Sequence, residues 1–350
     1  MNNLSSFKSK LLEISSSEHY LTKTCASYDS YVDELDDVIN RLTPILSIGE
    51  IRKLIDKKLQ LKTQHFNEPQ FIQTACELAA MSDFLIREDI KLTYEKKVTP
   101  PKDVDFSLDH MGITFNIEVK CPSFENKLDS ENGSVIISSL DRAPTKVESD
   151  EIVGDIQSRL KFSGVDSKIQ KSMENNLRTF LTSAQEKLIG ADGKDINILI
   201  VCCDSALDMQ AWRRYLFGFS GLFTENSFAH HSEFDRVDYV LLTNLYNRHH
   251  KFYEQNTIRD HWKLSSAFNL LYPNKFSNRN KLVVNGKDDF KRVSRVFTNY
   301  SEEFEEYLRD KLDTPNENES YEAKEFLGVA WFSDKYRDKG IYHFREPKGI

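Results

Sequence analysis

The stretch "DVDFSLDHMGITFNIEVKCP", Asp103–Pro122, decides the fold. In its second half Ile113, Phe115, Ile117 and Val119 alternate with Thr114, Asn116, Glu118 and Lys120. Alternation with period two marks a strand that rests one face on a core. It sets Glu118 and Lys120 on the other face, about 7 Å apart along the strand. In the preceding segment Val104, Phe106 and Leu108 face one way, and Asp105 and Ser107 the other. The turn falls within Asp109–Gly112. A two-residue loop at Met111–Gly112 puts Asp105 opposite Glu118, and one at His110–Met111 shifts the pairing by two but keeps both carboxylates on that face. A three-residue loop would separate them, because a one-residue slip turns every side chain over.

Two carboxylates held close each raise the cost of ionising the other. A hard divalent cation, Mg²⁺ or Mn²⁺, relieves that repulsion, and the backbone carbonyl of Val119, between the two polar positions, offers a further oxygen ligand. Such an ion polarises a phosphodiester and acidifies a bound water. Lys120 is then placed to orient the water or to meet the charge developing on phosphate. The competing expectation is a sheet with one wet face, on which Asp105, Glu118 and Lys120 form an ion pair of little energetic worth. The continuous apolar run "INILIVCC" (196–203) argues instead for a covered sheet.

Further out, "YVDELDDVINRL" and "IGEIRKLIDKKLQLK" carry helical spacing on either side of Pro44, which separates two helices. "FIQTACELAAMSDFLIRE" follows with an apolar stripe, and Glu68 and Pro69 suit a helix start. "IKLTYEKKV" reads as a strand. A polar stretch from Ser123 to about Gly164 reads as a long loop with one short strand at "SVIIS", and a helix is expected over Ser167–Leu188. "DMQAWRRYLFGF" reads as helix, "VDYVLLTNL" as a second buried strand, "WKLSSAFNLLY" and "FTNYSEEFEEYLRDKL" as helices, and "DTPNENESYEAKE" as a surface loop.

This order, with D…ExK on adjacent strands, resembles the PD-(D/E)XK nuclease superfamily. The resemblance implies an α/β fold: a restriction-endonuclease-like αβββαβ core with a mixed central sheet over 67–245, a helical N-terminal region over 1–66 and an α-rich C-terminal region over 246–350. It implies that Asp105 and Glu118 hold the metal and that Lys120 is the catalytic lysine. It also implies a helix glutamate at the site, Glu77 first and Glu68 second. The helix after the motif would touch phosphate through Gln170 or Lys171, with Gln157 a looser candidate. The match covers Glu68–Cys203, and it departs from the family at Val104, where many members carry proline. The expected activity is metal-dependent cleavage of double-stranded DNA by an endonuclease, as a dimer, in restriction or phage defence. The alternatives are a nucleic-acid-recognition module with a decayed site and an RNA-directed effector switched on by a protein partner.

The net charge of −8 excludes coating of nucleic acid by bulk positive charge but not a local basic cleft. Five cysteines (Cys25, Cys76, Cys121, Cys202 and Cys203) lack CxxC spacing and a disulfide pattern, which suits a reducing cytoplasm. No signal peptide and no membrane span are expected, since no run of about 18 apolar residues occurs. His230–His231 and His249–His250 read as solvated loop pairs, and Cys202 and Cys203 as small apolar residues. "YNRHHK", "SNRNK" and "KRVSR" read as solvated basic patches with the capacity to meet phosphate.

Overall fold

Six strands make the sheet that carries the hairpin, in a computed structural model that describes residues 7–11, 13–24, 29–122, 134–137, 146–169, 173–188, 190, 195–250, 252, 258–282, 286–312, 332 and 334–340. Strands β1 (Lys91–Tyr94), β2 (Phe106–His110) and β3 (Ile113–Lys120) form an antiparallel meander. A separate parallel pair is made by β4 (Ser134–Ile137) and β5 (Asp166–Ile169). Strands β6 (Asp195–Cys202) and β7 (Tyr239–Thr243) continue the main sheet parallel to β3, and β8 (Asn269–Pro273) closes it antiparallel to β7. The order is β1-β2-β3-β6-β7-β8, a mixed α/β sheet.

The hairpin turns at Met111 and Gly112, both with positive φ (50° and 78°). Two such residues make the turn whose twist matches the flanking strands, and glycine takes that conformation without strain. The register therefore runs from His110↔Ile113 to Phe106↔Ile117, which leaves Asp105 one step beyond the last pair, opposite Glu118.

The helices are α1 (Phe7–Leu11), α2 (Tyr20–Thr24), α3 (Asp29–Leu42), α4 (Ile48–Arg52), α5 (Glu68–Ser82), α6 (Lys146–Phe162), α7 (Met173–Lys187), α8 (Ala206–Phe217), α9 (Leu245–His249), α10 (Asn278–Leu282), α11 (Gly286–Val296) and α12 (Ser301–Leu312). A π-helical turn, Lys53–Lys58, continues α4. Helix α5 starts on Asn67, whose side chain accepts the N–H of Gln70, and Pro69 sits in the first turn where its missing N–H costs nothing. It lays Phe71, Ala75 and Ala79 in one core with Phe115, Ile117, Val119, Ile198 and Ile200. On the opposite face Leu177, Leu181 and Ala184 of α7 share a second core with Leu199, Val201, Trp212 and Tyr215. Each such side chain contributes roughly 1.5–3 kcal/mol on burial, so both faces of the sheet are covered.

Helix α3 belongs to the first core through Tyr31, Leu35, Val38 and Ile39. Tyr31 stacks on Phe252 at 3.5 Å between centroids, its hydroxyl bonds Nδ1 of His249 at 2.9 Å, and its carbonyl accepts Trp262 Nε1–H at 2.9 Å.

Several expectations are corrected. The polar stretch expected as loop to Gly164 contains α6, whose Val147, Ile152 and Phe162 are exposed, so no apolar stripe marks it as a helix. The helix expected from Ser167 starts at Met173, because 166–169 pair with β4. The helix begun at Glu68 ends at Ser82 and passes into a 3₁₀ turn, Asp83–Ile86. "WKLSSAFNLLY" is a 3₁₀ turn and β8 rather than a helix; four apolar residues carry no period, and pairing with β7 decides between the two. His249 is buried, not solvated, and His231 stacks on Phe276 at 3.7 Å. Arg248 of "YNRHHK" is buried and gives its guanidinium to the carbonyls of Lys339, Arg259 and Asp260. Arg279 of "SNRNK" is likewise buried, on Asp289. Neither faces phosphate. Cys25, Lys251 and the loop "DTPNENESYEAKE" lie outside the described residues.

Candidate metal centre at the end of the hairpin

The polar face of β3 is covered rather than wet. Asn116 is buried, accepts the Ser107 hydroxyl at 3.0 Å and donates to Asn197 Oδ1 at 3.1 Å, a polar ladder across β2, β3 and β6. One step further along the same face stands Glu118, fully buried. A buried carboxylate needs partners, and Glu118 has two ammonium groups on a single oxygen: Lys120 Nζ and Lys187 Nζ each lie 2.6 Å from Oε1. Its other oxygen, Oε2, is buried and has no hydrogen-bond partner among the described residues.

Asp105 meets this group from the residue just before β2. Its Oδ2 accepts the Val119 N–H at 2.7 Å, which pins the carboxylate to the strand that carries Glu118. Burial pushes its pKa well above the usual carboxylate range; the negative charges of Glu77 and Glu118 add to that push, against the Val119 N–H and Lys187. Glu77, buried on α5, closes the third side. Its Oε1 accepts Gln73 Nε2–H at 2.9 Å and its Oε2 accepts Lys58 Nζ at 3.3 Å. Lys58 also reaches Glu95 at 2.8 Å and the Tyr94 hydroxyl at 3.0 Å. Burial works against the Lys58 charge, but Glu77, Tyr94 and Glu95 outweigh it and raise its pKa. The pKa of Lys187 is raised in the same way, burial being outweighed by Glu118 and Asp105.

Three carboxylates thus face one another inside a ring of three lysines, from the π turn, β3 and α7. Their oxygens do not all lie within 4.8 Å of one another, so they form an open ring and not a closed cage.

The hairpin therefore brings together Asp105, Glu118 and Lys120, and α5 adds Glu77. The Val119 carbonyl, expected as a metal ligand, accepts Gln73 Nε2–H at 3.0 Å. Glu68 stands apart from the ring and pairs with His250 at 3.1 Å, while His250 Nδ1 lies 3.6 Å from Asp204. Burial lowers the His250 pKa, but Asp204 and Glu68 together lift it to about 9. Gln170 and Lys171 lie outside the described residues, and Gln157 sits on α6. Lys187 was missed. Its signal was the expectation of a phosphate-facing residue on that helix, but the ammonium comes from the helix's last residue rather than its first turn.

A second group, also missed, lies beside the ring. Cys76 of α5, Cys121 just after β3 and Cys202 at the end of β6 place their sulfurs all within 4.8 Å of one another. Scans of the chain against protein-family models, curated proteins and solved structures return no match.

Proposed function

We propose that the chain is a metal-dependent nuclease of the PD-(D/E)XK type, hydrolysing phosphodiester bonds at the ring of Asp105, Glu118, Glu77 and Lys120. The observation that carries this reading is Oε2 of Glu118, a buried carboxylate oxygen with no donor among the described residues. Leaving such an atom unpaired costs about 1–3 kcal/mol or more, and a cation bound at the ring removes that cost. Support also comes from the order of elements: α5, the meander β1-β2-β3, then α7 leading into a parallel β6. With β4, α6 and β5 inserted between β3 and α7, that order supports reading the sheet as a restriction-endonuclease-like core.

In this reading Glu118 and Asp105 would hold Mg²⁺ or Mn²⁺, with Glu77 the third carboxylate of the site. The bound ion supplies charge for the phosphate and a more acidic water. Lys120, at the partly open end of β3, orients the attacking water and meets charge on the phosphate oxygens. Lys187 fixes Oε1 of Glu118 and so aims Oε2 inward. Lys58 and Gln73 fix the two oxygens of Glu77. The substrate class is nucleic acid, double-stranded DNA first, and the setting is the cytoplasm.

The test incubates purified protein with duplex DNA, single-stranded DNA and RNA, each with Mg²⁺, Mn²⁺ or EDTA. Cleavage is expected with either metal and not with EDTA, and Glu118→Gln and Lys120→Ala are expected to lower the rate by about 10²–10⁴-fold. RNA cut in preference to duplex DNA would move the substrate class. No cleavage of any polymer, or undiminished cleavage by both variants, overturns the reading.

A further inference from the structure

We propose that Cys76, Cys121 and Cys202 form a second, thiolate metal site for a soft d¹⁰ ion such as Zn²⁺, separate from the carboxylate ring and directly behind it. Three sulfurs, from a helix, the end of one strand and the residue just after another, far apart in sequence, converge within 4.8 Å of one another, and none is in a disulfide. A Zn–S bond of about 2.3 Å puts tetrahedral thiolates about 3.8 Å apart, so the sulfurs need close only by roughly an ångström or less. Cys203 is the internal contrast. It is buried like Cys76 and Cys202, but it belongs to the opposite core, where its sulfur lies 3.8 Å from the Val201 carbonyl, as a thiol used for packing does. No fourth His, Cys, Asp or Glu of the described residues joins the three, which leaves a coordination position for solvent, as in three-ligand zinc sites.

Ligand softness separates the two sites. Thiolates select Zn²⁺, Cu⁺ or Cd²⁺, whereas the carboxylate ring suits Mg²⁺ or Mn²⁺. The sites are nevertheless wired together. Cys76 precedes Glu77, Cys121 follows Lys120, and Gln73 accepts the Cys121 N–H at 2.9 Å while donating to Glu77 Oε1 and the Val119 carbonyl. An ion on the thiolates would hold the end of β3 against α5 and so set where Lys120 and Glu77 stand; this consequence alone rests on the nuclease reading.

The test titrates reduced, metal-stripped full-length protein with Cd²⁺ and with Zn²⁺. Expected are one Cd²⁺ per chain with the ultraviolet thiolate-to-cadmium absorption of three sulfurs, displacement of Cd²⁺ by Zn²⁺ in competition, and protection of three thiols from an aromatic disulfide reagent. Cys121→Ser is expected to weaken binding by at least about 10-fold, the usual scale for a damaged metal shell, and Cys203→Ala to leave it unchanged. Should Cys121→Ser not fold, the wild-type stoichiometry and thiol protection decide. No stoichiometric uptake by the wild type, or equal weakening by Cys203→Ala, overturns the proposal. Glu118→Gln separates the two readings, since it is expected to remove cleavage and leave the cadmium absorption intact.

Discussion

Lys187 and Lys120 bind the same oxygen of Glu118, each at 2.6 Å, although one ends a helix and the other ends a strand sixty-seven residues earlier. The shared oxygen leaves its twin without a hydrogen-bond partner among the described residues, an asymmetry that under the proposed function would give this buried carboxylate a direction as a ligand.

Lys187 is accordingly expected to act as a positioning residue. Lys187→Met should lower cleavage by about 10–100-fold, the scale for residues that orient a metal ligand, and should raise the Mg²⁺ concentration needed for half-maximal rate. Lys120→Met should lower the rate at saturating Mg²⁺ with little change in that concentration. A metal titration of the two variants distinguishes the roles, and identical profiles would contradict the assignment.

Asp105 carries a pH signature. Its folded-state pKa is raised above the unfolded value, first by burial and then by Glu77 and Glu118. The protonated form is therefore preferred by the fold, and its contribution is complete below the ordinary carboxylate pKa of about 4 and lost as pH rises towards the folded value. Metal-free wild-type protein should lose thermal stability between pH 4 and 7 more steeply than Asp105→Asn, and added Mg²⁺ should recover more stability at pH 7 than at pH 5. Parallel melting curves for the two proteins across that range would count against it.

His250 follows the same sign in a higher pH window. Burial opposes its charge, but Asp204 and Glu68 raise its pKa from 6.5 to about 9. The stabilisation is fully present below about 6.5 and is lost as pH climbs through 9, on the order of 1–3 kcal/mol. His250→Gln should be less stable than wild type at pH 6 and nearly equal to it at pH 10, by urea denaturation at each pH.

Tyr31→Phe tests the join between α3 and the chain after β7. The lost hydroxyl is the partner of His249 Nδ1, and His249 Nε2 has no partner among the described residues. A buried ring with neither nitrogen bonded costs about 1–3 kcal/mol, which a shift in denaturation midpoint measures. No shift would mean that His249 finds another partner.

Much of the site was legible because a hairpin is a local object. The alternation of Ile113–Lys120 and the Met111–Gly112 turn fix which residues oppose one another, and Asp105 falls opposite Glu118 with no help from distant segments. Glu77 was legible from its place beside the apolar stripe of α5. Lys187 was less so, since a lysine at a helix end looks like any solvated lysine until β6 brings that helix back over β3. The thiol group was not legible at all. Cys76, Cys121 and Cys202 have no shared spacing, and only the crossing of α5 over the ends of β3 and β6 collects them. Strand β8 and helix α6 were misread for a related reason: one is too short to show a period, and the other presents apolar residues to solvent.

The stacking of Tyr31 on Phe252, with Trp262 bonded to the Tyr31 carbonyl, ties the first helices to the last third of the chain. A fragment trimmed to 67–245 would keep Asp105, Glu118, Glu77 and Lys120 but lose Lys58 and a wall of the core beneath α5. Dissection of this protein is therefore better done by point substitution than by truncation, because a shortened piece that fails to cut would report a collapsed interior and not a missing activity.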